Sequence, residues 1–125
     1  MNEQNTSSKV SLCVDLKKYR IRVSKEMLHK LDDPQYIQLL VNPAMRLVAI
    51  KSANRKTAGN DAHRISERVM NSEHSIEIYS RHFIRKLIEV AGELDCGLSY
   101  SLTGRVIPTE ELAVFPLSTL TRIIN

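Results

Sequence analysis

Residues 24–31 read Ser-Lys-Glu-Met-Leu-His-Lys-Leu, and residues 80–87 read Ser-Arg-His-Phe-Ile-Arg-Lys-Leu. Aligned without a gap, they share Ser24 with Ser80, Lys30 with Lys86 and Leu31 with Leu87. Lys25 matches Arg81, Met27 matches Phe83 and Leu28 matches Ile84. Each serine precedes an apolar stripe at helical spacing, so its hydroxyl can accept from backbone N–H groups that a first helical turn leaves unpaired. Both stretches therefore predict N-capped amphipathic helices. Glu26 complements the positive end of the first helix dipole, and Asp33-Pro34 stops that helix, because proline disfavours helical geometry in the preceding residue. The second helix continues through Ile88 and Ala91 to Gly92, which can take the left-handed conformation of a helix end.

Strands are expected on either side of both helices. Val10, Leu12, Val14 and Leu16 alternate with other residues, as in a strand with one buried face. After Lys17-Lys18, the apolar Tyr19, Ile21 and Val23 alternate with Arg20 and Arg22. Beyond the first helix, strands at 36–41 and 46–51 are joined by Asn42-Pro43-Ala44-Met45, which has turn chemistry. In the second half, a weak strand is expected at 65–70, a short one around Ile76 and Ile78, and stronger ones at 97–102 and 112–117. Gly104 and Pro108 break the pattern between the last two. Residues 118–124 suit one or two helical turns with Leu120, Ile123 and Ile124 buried.

The order of elements recurs. Ile21-x-Val23 matches Ile76-x-Ile78 ahead of the helices, and Leu47-Val48-Ala49-Ile50 matches Leu112-Ala113-Val114-Phe115 behind them. Capped helices resemble one another generically, but three matches in the same order point to duplication. The organisation expected is a flexible start at 1–9, a first unit at 10–51, a linker at 52–63 and a second unit at 64–125, all within one compact domain. Neither half offers enough surface to bury for independent stability. Interleaving them buries both helix stripes and pairs strand edges otherwise left open. The fold class expected is mainly β with two helices (α+β), a pseudo-two-fold barrel built from two ββαββ units.

Composition excludes several functions. With 125 residues, 42% hydrophobic and 26% charged, the chain has the make-up of a single globular domain. It lacks an apolar run of membrane-spanning length, and the polar start reads as no signal peptide, so a cytoplasmic protein is expected. Cys13 and Cys96 lie beside apolar residues and read as buried free thiols, although two cysteines could also form one disulfide. They form no ligand run with His29, His63, His74 or His82, so neither metal nor other cofactor is expected. No nucleophile motif or phosphate-binding glycine loop is present, and Glu110-Glu111 reads as a solvated turn; no enzymatic activity is expected.

Charge supplies the functional lead. The net charge is +4, and residues 1–31 carry seven Lys or Arg against three Asp or Glu. Lys18, Arg20 and Arg22 share one strand face about 6.7 Å apart, flanked by Lys17 and Lys25. Such a row can neutralise successive phosphates. It equally suits a solvated outer face, which needs charge to discourage edge pairing. In the second copy Arg81, Arg85 and Lys86 are basic, Glu77 stands where the first copy has Arg22, and Glu89 is spaced to pair with Arg85.

The segment Tyr19-Arg20-Ile21-Arg22-Val23-Ser24-Lys25-Glu26-Met27, with Leu31 beyond, resembles the loop–strand–helix core of AbrB/SpoVT-type transition-state regulators. Tyr19 stands where that family has glycine, and Ser24 where it has proline. The resemblance implies a swapped-hairpin barrel, here fused within one chain, that binds DNA. DNA is thus the expected partner, through Lys17, Lys18, Arg20, Arg22 and Lys25, with Arg81, Arg85 and Lys86 secondary and the N-terminal copy dominant. The implied role is transcriptional regulation, by a monomeric pseudo-dimer or a homodimer. The alternative is a protein-interaction module without DNA binding, antitoxin-like or accessory to a mobile element.

Overall fold

Alternation of apolar and polar side chains turns Lys9–Asp15 (β1) and Arg20–Ser24 (β2) into antiparallel partners with their apolar sets inward. The structure, a computed structural model, describes residues 9–53, 62–65 and 75–124. Asp15 closes the turn between β1 and β2: its Oδ1 accepts from the Lys17 and Lys18 N–H groups at 3.1 Å each. Tyr19 completes the turn at φ 55°, a left-handed conformation that costs a non-glycine residue roughly 1–2 kcal/mol. Helix α1 (Lys25–Lys30) begins where Ser24 Oγ accepts from the Met27 N–H at 3.1 Å, and ends through Asp32 and Asp33, both at positive φ, before Pro34. Strands β3 (Tyr36–Asn42) and β4 (Leu47–Ala53) follow as a hairpin, in which Asn42 Oδ1 accepts from the Met45 N–H at 3.0 Å. Arg46, expected to open β4, instead ends the turn at φ 51°.

Strand β5 (Ala62–Arg64) pairs with β3, so His63 and Ala62 of the expected linker are strand residues, as are Ser52 and Ala53 at the end of β4. Strand β6 (Ser75–Tyr79) leads to helix α2 (Arg81–Ala91), where Ser80 Oγ accepts from the Phe83 N–H at 3.2 Å. Gly92 closes α2 at φ 93°, donating its N–H to Ile88 O at 3.0 Å. Ser80→Ala is expected to lower stability by about 1 kcal/mol. The check is the urea midpoint, which should fall at unchanged slope; an unmoved midpoint would mean that water replaces the cap.

Two expectations about the C-terminal part are corrected. Gly104 does not break a strand: β7 runs unbroken over Ser99–Ile107. An added Cβ at Gly104 would lie 1.8 Å from Val114 O, so the glycine marks a close backbone approach. Nor is the terminal segment helical beyond one 3-10 turn, Leu117–Thr119, which separates strand β8 (Leu112–Pro116) from β9 (Thr121–Arg122). Thr119 Oγ1 donates to Thr103 O and accepts from the Thr103 N–H, holding this turn on the edge of β7 between its pairings with β8 and β9. Ile124 is exposed rather than buried, while Leu120 and Ile123 are half-buried. Cys13 is half-buried and Cys96 exposed, both free, so the expectation of two buried thiols fails at Cys96.

All strand pairs are antiparallel, in the order β5-β3-β4-β8-β7-β1-β2-β6 with β9 on β7, and the sheet curls into a nearly closed barrel. Helix α1 packs on β1 and β2, and α2 on β3. The core joins both helices to the sheet through Leu12, Ile21, Met27, Leu28, Ile50, Ile84, Leu87, Leu102 and Phe115, all almost fully buried. Two hydrogen bonds cross between the hairpins: Ser52 N–H donates to Glu111 O and Leu117 N–H to Arg46 O, each at 2.9 Å. No helix among the described residues is long and apolar enough to cross a membrane. Residues 1–8 of the expected flexible start at 1–9, residues 54–61 of the linker and residues 66–70 of the weak strand lie outside the described residues, while Lys9 pairs with Arg105 as a strand residue of β1.

Candidate nucleic-acid interface

Strand β2 pairs with β6 so that Arg22 lies directly opposite Glu77, and Arg20 opposite Tyr79. Arg22 Nη2 donates to Glu77 Oε2 at 2.9 Å. Arg20 bridges two carboxylates, Asp15 Oδ2 at 3.0 Å and Glu77 Oε2 at 3.5 Å. Partial desolvation works against the Arg20 charge, but Glu77, the Tyr79 hydroxyl and Asp15 outweigh it and hold the guanidinium above its usual pKa. The Arg22 hydrogen bond, aided by the charges of Arg20, Arg22 and Lys18, outweighs desolvation and holds the Glu77 carboxyl below its usual range. Both strand arginines thus have carboxylate partners inside the molecule.

The other cations are arranged differently. Tyr19 O accepts from the Ser80 N–H at 3.0 Å, which ties the β1–β2 turn to the start of α2. Arg81 and Arg85, one helical turn apart on α2, bring their guanidinium carbons within 5.0 and 6.0 Å of the Tyr19 ring centroid. That distance is within reach of a cation–π attraction. Lys17 and Lys18 precede Tyr19 in the same exposed turn. Among the described residues no carboxylate lies within ion-pair distance of Lys17, Lys18, Arg81 or Arg85.

Lys25 does not join this group. It follows Ser24 at the far end of five-residue β2, about 13 Å along the strand from Arg20. Lys86 lies apart as well, lining a cavity with His63 and His82, with its Nζ 3.7 Å from Glu89 Oε1. The expected Arg85–Glu89 pair is absent among the described contacts, because Glu89 approaches Lys86 and Arg85 reaches over Tyr19. Nor does the first copy form the cluster alone: the turn comes from the first half of the chain and Arg81 and Arg85 from the second. Tyr19, read from sequence as an inward strand residue, is the platform the cluster is built on. The spacing of Arg81 and Arg85 by four residues was the one sequence signal for a shared helix face.

Among the described residues no group of three His, Cys, Asp or Glu side chains could hold a metal ion. No protein-family model, curated protein or solved structure matches the chain.

Proposed function

We propose that the protein binds DNA, as a regulator of transcription would, through the cluster of Lys17, Lys18, Arg81 and Arg85 around Tyr19. The observation that carries this reading is that Lys17 and Lys18 share the exposed turn of Tyr19 while Arg81 and Arg85 lie over its ring, with no carboxylate within ion-pair distance of any of them among the described residues. Cations in that state can exchange water and counterions for phosphate oxygens, which is the source of salt-dependent affinity. Arg20 and Arg22 contribute less, since phosphate must compete there with Asp15 and Glu77.

The proposal includes the finer architecture: two ββαββ units related by an approximate two-fold axis, as in a fused swapped-hairpin pair. Its support lies in the registers. Arg22 faces Glu77 and Ala49 faces Val114, and the sequence repeat makes each of these pairs equivalent. Both hairpin turns open with proline, Pro43 and Pro108, and end at a positive φ, Arg46 and Glu111. The two hydrogen bonds that join the hairpins are reciprocal. At Tyr19 the backbone takes the conformation that the family's glycine would adopt without strain.

The test is a fluorescence-anisotropy titration on mixed-sequence duplex DNA at several salt concentrations. Replacing Lys17, Lys18, Arg81 and Arg85 together by alanine should cut the magnitude of the log K–log[salt] slope by about 3–4. Replacing Arg20 and Arg22 should change it by less than about 1. Absence of wild-type binding at low salt would overturn the reading.

A further inference from the structure

The outward side chains of the sheet beside this corner fall into rows. Tyr79 of β6 faces Arg20 of β2, Arg20 faces Asp15 of β1, and Asp15 faces Ser99 of β7. The Ser99 carbonyl accepts from the Ile123 N–H at 2.9 Å, carrying the row to the segment after β9. The sequence neighbours Ile78, Ile21, Val14 and Tyr100 are buried, so the row lies on the outer face. Four strand spacings make it about 19 Å across, room for a few nucleotides.

Two features of this row go beyond phosphate binding. Tyr79 is 61% exposed and stands across the β2–β6 ladder from Arg20, next to the Ser80 whose N–H ties α2 to the Tyr19 turn. Between Arg20 and Ile123 the sheet dips into a hollow of about 210 Å³, large enough for a planar ring. An open aromatic face gains nothing from a duplex, whose bases are already stacked on each other. A single strand offers free base faces, and stacking on an aromatic residue is worth about 1–3 kcal/mol per base. We propose that this sheet face takes single-stranded nucleic acid, stacking one base on Tyr79 with the adjoining phosphates on the carboxylate-free cations of the neighbouring corner. The inference rests on the nucleic-acid reading above and adds the strandedness of the ligand.

The experiment compares fluorescein-labelled oligo(dT), oligo(rU) and a mixed-sequence duplex by anisotropy, using the full chain. Tyr79→Ala should weaken binding of a single strand by about 5- to 150-fold and leave the duplex within about twofold. Tyr79→Phe keeps the ring and should bind like wild type, which separates stacking from a folding defect. Equal losses on strand and duplex, or no loss on either, overturn this inference alone. A wild-type protein that leaves the duplex unbound at low salt overturns the DNA-binding reading, and one that leaves both single strands unbound overturns this inference.

Discussion

Replacing Gly104 with alanine is expected to destabilise the fold by about 3 kcal/mol or more, at the upper end of what overpacking does. The added Cβ would stand 1.8 Å from Val114 O and 2.8 Å from Phe115 Cδ2. A side chain can turn away; a strand carbonyl held on both sides cannot. Val114 pairs with Ala49 of β4 and Arg105 of β7, so moving its carbonyl means breaking ladder bonds at the centre of the barrel. Urea unfolding should show a lower midpoint, and the melting temperature should fall by on the order of 10 °C. A loss below about 1 kcal/mol would show that β8 can shift, and the close approach would then not be a constraint on this fold.

Phe115→Ala is the second large effect, a loss of about 3–5 kcal/mol. Phe115 is fully buried and heads the fully buried side chains by size. It pairs with Val48 across the β4–β8 ladder, where the two hairpins meet. Truncation leaves a cavity that backbones paired on both flanks cannot close. Calorimetry or urea unfolding measures the loss, and a change under about 1.5 kcal/mol would refute Phe115 as the centre of the core. The two sites are neighbours, so a double-mutant cycle is informative. Phe115→Leu should relieve Gly104→Ala only slightly, because the tightest contact is with backbone and not with the ring.

Local patterns were legible. The alternation in β1, β2 and β6, both serine caps and the β3–β4 hairpin follow from residues a few positions apart, and each occurs close to its expected place. Misreadings arose where the decisive partner is distant in sequence. Gly104 reads as a breaker in isolation; its role depends on Val114 lying across it. Residues 121–122 carry no strand pattern of their own and become β9 because the free edge of β7 beside Tyr100 and Ser101 accepts them. Cys96 has an apolar neighbour in Leu98 but sits in an exposed turn, where adjacency in sequence says nothing about depth.

The candidate site divides in the same way. Sequence alone determined that the chain is mainly β with two capped helices and that basic residues gather around positions 17–25 and 81–86, because periodicity, capping and charge are local properties. It could not decide which of those cations are neutralised. Only the β2–β6 register sets Glu77 against Arg22, and only the docking of the turn on α2 gathers Arg81 and Arg85 around Tyr19. Ion pairing falls off within a few ångströms, so availability for a ligand is settled by tertiary contacts between residues far apart in the chain.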